Sequence, residues 1–248
     1  MIFGKDHEKL NWYGRRRGHK LRPNRQALID NRLPDLRLEI PKDGSLNLMS
    51  AFSRSVKDFW LEVGFGGGEH LAVQAGANPD IGFIGCEPYI NGIASHLSVI
   101  DREKLTNIRI FDDDARKLFK VLPDSILGRV YALFLDPWPK KRHHRRRFIS
   151  EETVDSLIRI MKDNAQLRIA SDHMGYISWV LEHLSARQEL EWLVQSKQDW
   201  TNPPSDWVAT RYEKKAKMRG CSSAYLCFTR RPRKKSWVYD FENPLKNH

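Results

Sequence analysis

From Asp58 onward, short apolar runs alternate with amphipathic segments whose apolar residues recur at helical spacing. The short runs predict strands at Phe59–Val63, Ile81–Glu87, Asn107–Phe111, Val130–Leu135, Gln166–Ser171, Leu190–Val194 and Ala224–Thr229. Helices are predicted between most of them, at Glu69–Ala77, Ile90–Glu103, Glu151–Lys162 and Met174–Ala186. Strands separated by helices predict an α/β fold with a mostly parallel sheet that helices cover on both faces.

The segments outside this alternation divide the chain. About the first forty residues, with Pro23, Pro34 and Pro41, show no sustained periodicity. We therefore expect a basic, extended and partly mobile N-terminal arm at 1–50, one domain at 51–231 and a C-terminal tail at 232–248. The span from Ser196 to Ser223 is too long for an ordinary connection, which suggests a functional loop.

The charge is concentrated in three windows. The chain has 42 Lys and Arg against 31 Asp and Glu, a formal net charge of +11. Residues 9–25, 140–147 and 211–235 together hold 23 basic residues and one acidic residue, so the rest of the chain is acidic. Each window alone could be a solvated face, but an acidic body with basic segments favours a polyanion-binding surface. Nucleic acid is the favoured partner because the basic windows lack the apolar stripe of a membrane-binding helix.

Other composition features exclude several classes of protein. The three cysteines (Cys86, Cys221 and Cys227) are an odd number without metal-ligand spacing, as expected in a reducing compartment. Apolar runs are too short to span a membrane, and the charged N-terminus has no signal-peptide core. His143 and His144 are adjacent, which does not suit a metal ion. We expect a cytoplasmic protein with no membrane association and no metal.

A glycine-rich turn, Val63-Gly64-Phe65-Gly66-Gly67-Gly68-Glu69, follows the first predicted strand. Residues without Cβ let the backbone approach a ligand closely. A dinucleotide-binding turn ends in Gly or Ala, whereas Glu69 occupies that position and its charge is unsuited to a phosphate. An acid before spaced glycines better suits a positively charged adenosine cofactor, namely S-adenosylmethionine. The residues of this pattern are Glu62, Gly64, Gly66 and Gly68.

Two further acids follow predicted strands, where ligands bind in parallel sheets. Glu87 ends the second strand, and a carboxylate there can accept both ribose hydroxyls. Asp114, after the third strand, could accept the adenine amino group. From spacing alone, Asp112 or Asp113 would serve equally, and any of these acids could instead cap a helix or face solvent.

The fourth predicted strand is wholly apolar and is therefore expected at the centre of the sheet. It ends in Asp136-Pro137-Trp138-Pro139, and a cationic run follows at once. The prolines stiffen the turn and Trp138 offers a stacking face. An acid and an aromatic ring beside a methyl donor, continuous with a phosphate-binding segment, favour modification of a nucleobase. The alternative is that Asp136 caps the next helix and Trp138 belongs to the core.

Together these motifs resemble the bacterial tRNA (guanine-N(7)-)-methyltransferases. The resemblance extends from about Phe59 to Arg230 and includes Ser171-Asp172-His173 and Thr210-Arg211-Tyr212-Glu213. It implies a Rossmann-like, class I S-adenosylmethionine-dependent methyltransferase with a seven-stranded, mostly parallel sheet. The implied reaction transfers a methyl group to N(7) of the variable-loop guanine (tRNA position forty-six), forming 7-methylguanosine. The partner would be tRNA, and monomer and homodimer both remain open.

The resemblance also implies roles for individual residues. Asp136 is the implied catalytic residue and also a cofactor contact, together with the glycines above and Glu62, Glu87 and Asp114. Implied substrate contacts are Lys140, Asp172, Thr210, Arg211, Tyr212 and Glu213. Implied RNA contacts are Arg142, His143, His144, Arg145, Arg146 and Arg147. The family often has Lys and Phe where this chain has Arg211 and Tyr212, which preserves charge and aromaticity.

Several of these residues have structural interpretations as well. Asp172 could cap the helix predicted after it, and Thr210 with Glu213 forms a capping-box pattern. A methylase of another RNA, a protein or a small molecule would leave the basic windows without a role. A non-catalytic RNA-binding protein would leave the acidic series without one. Because guanine N(7) has a lone pair and no proton, we expect Asp136 to orient the base and stabilise charge rather than accept a proton.

Overall fold

The computed structural model describes residues 14–233, and within them seven strands form a single sheet. The strands are β1 (Asp58–Val63), β2 (Ile81–Cys86), β3 (Ile108–Phe111), β4 (Leu127–Leu133), β5 (Met161–Ser171), β6 (Leu190–Trp192) and β7 (Ala224–Arg230). Their order is β3-β2-β1-β4-β5-β7-β6; β1 to β5 pair in parallel, and β7 runs antiparallel to β5 and β6. The predicted sheet is therefore confirmed.

Helices cover the sheet on both faces. Within residues 14–233 they are α1 (Pro23–Asn31), α2 (Leu33–Leu36), α3 (Glu69–Ala77), α4 (Ile90–Glu103), α5 (Ala115–Val121), α6 (Glu151–Ile160), α7 (Met174–Ser185), α8 (Gln198–Thr201) and α9 (Arg211–Met218). Apolar residues of α5, α6 and α7 pack in one buried cluster, and those of α3 and α4 pack in another. Alternate residues of a strand point to opposite faces, so Leu61 of β1 joins the first cluster and Trp60 contacts the second.

The central strands differ from the prediction at their ends. β4 begins at Leu127 and β5 at Met161 because these two residues pair across the sheet. The helix predicted to run to residue 162 therefore ends at Ile160. β4 stops at Leu133, two residues earlier than predicted, because Phe134 has a φ of 51°, which a strand does not accommodate.

The prediction of an extended N-terminal arm is wrong for the residues that form α1 and α2. Leu33 and Leu36 are buried against apolar residues of α4 and β3. Arg32 pairs with Asp101 at 3.0 Å, and Arg37 pairs with Asp112 at 2.8 Å. Prolines at the first turns of these helices remove no hydrogen bond, so they start helices here rather than preventing them. Residues 1–13 of the predicted arm, and most of the predicted tail, lie outside the described residues.

The long segment before β7 contributes to one end of the sheet. The span from Ser196 to Ser223 contains α8 and α9 and returns over the carboxyl edge of the sheet, where its Tyr212 lines a cavity with Gly66 and Asp136.

No α-helix among residues 14–233 has the length and apolar character needed to cross a bilayer.

Candidate active site

Three adjoining cavities lie at the carboxyl edge of the sheet. The central cavity has a volume of about 640 Å³ and is lined by residues that include Gly64, Gly66, Glu87, Asp136 and Tyr212. A side cavity of about 100 Å³ reaches Asp114, and an outer cavity of about 710 Å³ reaches Asp172. Asp136 lines all three cavities. Predicted site residues from the ends of five strands, β1 to β5, therefore come together here.

The glycine-rich turn forms one wall of the central cavity. Gly64 has a φ of 67°, and a Cβ on it would lie 2.5 Å from Cδ2 of Leu135, so a side chain there would strain the backbone and displace Leu135. Gly68 differs from the prediction because it packs away from the cavity. A Cβ on Gly68 would lie 2.0 Å from Nδ1 of the buried His96, and its backbone starts α3. The glycine at 68 therefore serves packing beneath the turn.

Glu87 is held by the backbone on both of its oxygens. Its Oε2 accepts a hydrogen bond from the Gly66 N–H at 2.8 Å, and its Oε1 accepts one from the Tyr89 N–H at 2.9 Å. A carboxylate has about four acceptor positions, so two remain for a ligand's hydroxyls. Burial raises the pKa of Glu87, the two N–H donors oppose that rise, and the negative charges of Asp136 and Glu62 add to it.

Glu62 lies beneath the turn and does not line the cavities. Its side chain is buried, and its Oε2 lies 2.7 Å from Nδ1 of His70, which is buried as well. The predicted direct contact between Glu62 and a cofactor is therefore not supported by this geometry. Its charge still contributes to the field at Glu87. The sequence offered no signal for His70, whose position in the first turn of α3 brings it back over β1.

Asp114 combines the two roles that the sequence left open. It caps α5 by accepting the Arg116 N–H at 3.0 Å, and it forms an ion pair with the Arg116 guanidinium at 2.5 Å. It also lines the side cavity, as does Asp113, which pairs with Arg16 and Lys117. Asp112 turns to Arg37 instead. The structure therefore removes Asp112 from the three candidates.

Asp136 sits on a strained turn. Phe134 and Trp138 on either side of it have φ values of 51° and 42°, the left-handed region that residues other than glycine adopt at a cost of about 1–3 kcal/mol. The residue is exposed to the cavities, yet neighbouring protein removes part of its water and raises the pKa of its carboxyl. Such strain clusters at functional sites, where the surrounding structure imposes it.

The outer cavity brings Asp172 and Tyr212 into contact with the same space as Asp136. The Asp172 carboxylate accepts a hydrogen bond from the exposed Arg219 at 3.1 Å, while the neighbouring His173 caps α7. Tyr212 is 44% exposed and stands between the central and outer cavities. A Cβ on Gly66 would lie 3.1 Å from the Tyr212 ring, so this ring closes over the turn.

Thr210 and Glu213 form the capping box and anchor α9. The Thr210 hydroxyl accepts the Glu213 N–H at 3.1 Å. The Glu213 carboxylate is fully buried and accepts hydrogen bonds from Trp207 at 2.6 Å and Tyr225 at 2.7 Å. Glu213 was predicted to contact the substrate, but its buried carboxylate instead holds α9 in place. The exposed residues Arg211 and Tyr212 lie at the start of that helix. Sequence reasoning did not find Trp207, since an isolated aromatic residue in a long loop has no periodic signal.

The cationic run from Lys140 divides into exposed and buried members. Arg142 and Arg145 are exposed, and so is Lys140, which precedes a short 3-10 helix at Lys141–Arg146. His143 and Arg146 pack on Trp138, with ring centres 5.9 Å apart for His143 and the Arg146 guanidinium 5.0 Å from the ring. His144 packs edge-on against Trp179.

The assignment of Arg147 as an RNA contact is wrong. Arg147 is only 5% exposed, and its Nε donates a hydrogen bond to the carbonyl oxygen of Pro137 at 2.9 Å. Its guanidinium faces the rings of Tyr176 and Trp179 on α7. A charge pattern cannot reveal which member of a basic run turns inward, because that depends on where the following chain packs.

The other basic windows also divide into paired and exposed charges. Arg230 and Arg233 pair with Asp163, so they brace the end of β7. In the N-terminal window, a hollow of about 510 Å³ lies between the start of α1, with the chain before it, and helix α4. Its basic lining residues are His19, Lys20, Arg22 and Arg25. The basic surface of the described residues is therefore narrower than the composition suggests.

The residues present fit a positively charged nucleotide cofactor. Glu87 and Asp136 face the central cavity with raised pKa values, so a bound cation would relieve their unfavourable burial. Among residues 14–233, no group of three or more His, Cys, Asp or Glu side chains is arranged to hold a metal ion.

Comparisons with known proteins point to one family of enzymes. A protein-family model described as a putative methyltransferase matches residues 57–224. The tRNA (guanine-N(7)-)-methyltransferase of Rhodospirillum rubrum is 46% identical over 229 residues, which cover 91% of this chain and 90% of that protein. The one from Paramagnetospirillum magneticum is 46% identical over 228 residues, covering 91% and 95%. An rRNA methylase from Streptococcus thermophilus shares the fold, with a TM-score of 0.50 and 10% identity over 71% of this chain and 89% of that one.

Replacing Glu87 by Gln should weaken the binding of S-adenosylmethionine by about 10- to 100-fold, the loss expected when a charge-assisted hydrogen bond is removed. The NH₂ group of the Gln amide would also face one of the two backbone N–H groups that donate hydrogen bonds to the carboxylate, so two donors would meet. Isothermal titration calorimetry at neutral pH measures the dissociation constant. The matched control is Glu182→Gln, at an exposed position on α7. Equal affinities of both variants and the wild type would remove Glu87 from the binding site.

Proposed function

Because this chain belongs to the family of tRNA (guanine-N(7)-)-methyltransferases, we propose that it methylates N(7) of a guanine in tRNA, with the variable-loop guanine as the target. S-adenosylmethionine is the cofactor, and tRNA is the substrate. We place this reaction in the cytoplasm. The observation that carries the proposal is the position of Asp136, which lines both the central and the outer cavity.

The central cavity would hold the cofactor through its own polar groups. The free acceptor positions of Glu87 suit the two ribose hydroxyls, and Asp114 in the side cavity suits the adenine amino group. The glycine turn brings backbone close to the ligand at Gly64 and Gly66. When bound, the cofactor supplies an electrophilic methyl group on a sulfonium ion, and the nearby carboxylates favour that positive charge.

The outer cavity would hold the guanine. Asp136 and Asp172 line it from the ends of two adjacent strands, and a carboxylate can accept hydrogen bonds from the ring N–H and the exocyclic amine of guanine. Tyr212 offers an exposed ring for stacking between the two cavities. This arrangement leaves N(7), on the opposite edge of the base, free to face the central cavity.

The residues promote transfer by orientation and charge. Guanine N(7) carries a lone pair and no proton, so the reaction requires no general base. Most of the rate enhancement would come from residues that hold the guanine and the bound cofactor in a reactive orientation. Methylation leaves a positive charge on the base, which the Asp136 carboxylate stabilises.

The exposed cations would bind the RNA backbone. Arg142 and Arg145 follow the Asp136 turn in the chain. The hollow lined by Arg22 and Arg25 is formed by the chain that continues from Gly14 and Arg15, which line the central cavity. Phosphate contacts fix the position of a nucleic acid without reading its sequence. These surfaces favour tRNA over a protein or a small molecule as the substrate, because those alternatives would leave the cations unused.

Incubation with S-adenosylmethionine carrying a labelled methyl group and unmodified tRNA should produce 7-methylguanosine, identified by nucleoside analysis. Asp136→Asn should reduce the rate by about 100-fold, since it removes the charge that stabilises the product cation. The single-turnover solvent deuterium isotope effect should be about 1, because no proton moves in the transfer step. Label in another nucleoside would contradict the proposed target, and a large isotope effect would contradict the role given to Asp136.

Replacing Arg142 and Arg145 together by Ala should reduce the salt dependence of tRNA binding. The plot of log affinity against log salt has a negative slope, and each lost phosphate contact makes that slope shallower by about 0.7–0.9. The loss of two contacts should therefore make it shallower by about 1.4–1.8. The control removes two cations at the opposite edge of the sheet, Arg54 and Lys57, which directly precede β1. Filter-binding titrations at several salt concentrations provide the slopes. If the test and control variants have the same slope, this run does not contact RNA.

A further inference from the structure

Arg147 connects the Asp136 turn to helix α7 from inside the protein. Its Nε donates to the carbonyl oxygen of Pro137, 2.9 Å away, directly after Asp136. Its guanidinium carbon lies 5.0 Å from the ring centre of Trp179 and 5.7 Å from that of Tyr176. A guanidinium over aromatic faces is held by cation–π attraction, which is strongest away from water. The side chain therefore joins two elements that the chain sequence separates.

The turn that Arg147 contacts has few backbone hydrogen-bond donors. Pro137 and Pro139 have no N–H to donate, and the residues at 134 and 138 have left-handed conformations. Such conformations persist where the surroundings impose them. One constraint is the hydrogen bond from the Phe134 N–H to the Ala170 carbonyl at 2.7 Å, before Asp136. The Arg147 contact constrains the side that follows Asp136.

The same residue contacts the elements that carry two walls of the outer cavity. Asp136 and Pro137 line one wall, and Asp172 and His173, at the start of α7, line the other. Arg147 contacts the first wall by a hydrogen bond and the helix of the second wall by its planar face. A shift of either wall would change the distance between the two carboxylates that face the base.

We propose that Arg147 is a positioning residue, which holds Asp136 in place for methyl transfer by fixing the Pro137 carbonyl against α7. This inference rests on the proposed function for its kinetic readout. Arg147 belongs to the cationic run, but it would act from its buried position on the cavity wall. Its exposed neighbours would instead contact phosphates. A misplacement of about 1 Å at a reacting group can cost on the order of 100-fold in rate.

The test compares Arg147→Met with the wild type. Methionine retains much of the length but has no donor or charge. We expect kcat to fall by about 10- to 100-fold, while the dissociation constant for S-adenosylhomocysteine stays within about twofold and the salt slope of tRNA binding is unchanged. Arg147→Lys restores a cation that can approach the rings and should recover part of kcat. The control is Arg187→Met. Arg187 lies just after the C-terminal end of α7 and pairs with Asp155 of α6.

A second measurement separates positioning from general loss of structure. In Arg147→Met, hydrogen exchange followed by mass spectrometry should accelerate in peptides covering 133–148 and the start of α7, but not in those covering β1 and α3. An unchanged kcat, or a lower salt slope with unchanged kcat, would overturn the proposal. Exchange that accelerates throughout the domain would also overturn it. If Arg147→Met does not fold, Arg147→Gln, which lacks the cation, carries the same comparisons, and a wild-type kcat there would overturn the proposal.

Failure of the proposed function would be recognised separately. If the wild-type protein forms no 7-methylguanosine, the reaction is wrong. The exchange pattern and the cofactor affinity of Arg147→Met would then still show whether Arg147 orders the Asp136 turn.

Discussion

The site depends on acidic side chains that the parallel sheet gathers at one edge under partial burial. Glu87 and Asp136 have raised pKa values, chiefly because protein displaces their water, and at Glu87 the charges of Asp136 and Glu62 add to the effect. An acid with a raised pKa stabilises the folded protein when protonated, and this contribution is lost as the pH rises from its ordinary pKa through the raised one. At neutral pH the cofactor-free protein therefore carries an electrostatic cost that a bound cation relieves. We propose that this cost favours a positively charged nucleotide as the ligand.

Around this edge, most of the supporting interactions act from behind the cavity walls. His70 holds Glu62 beneath the glycine turn, and Trp207 with Tyr225 holds Glu213 beneath α9. Asp206, one residue before Trp207, is clamped by Arg168 at 2.7 and 2.8 Å, which ties the long loop to the sheet. The side chains left facing the outer cavity, such as Tyr212 and Asp172, are therefore presented by fixed backbone. Preorganisation of this kind lowers the cost of ordering a substrate.

The sequence predicted those features that depend on periodicity and on where strands end. Helices α3 and α4 have the predicted bounds, and Gly64, Gly66, Glu87 and Asp136 meet as the topology requires. It did not predict features set by long-range pairing. The early start of β5 depends on its register with β4, the helical N-terminal segment depends on a groove beside α4, and the burial of Arg147 depends on the rings of α7. None of these leaves a local pattern, because each is decided by residues far along the chain.

The most direct measurement of the central claim is the carboxyl pKa of Glu87 and Asp136, determined by carbon-13 NMR titration with and without S-adenosylmethionine. We predict that both pKa values lie above their ordinary values in the cofactor-free protein and fall when the cofactor binds, because the positive ligand favours the charged form. Ordinary pKa values that do not change on binding would contradict the account.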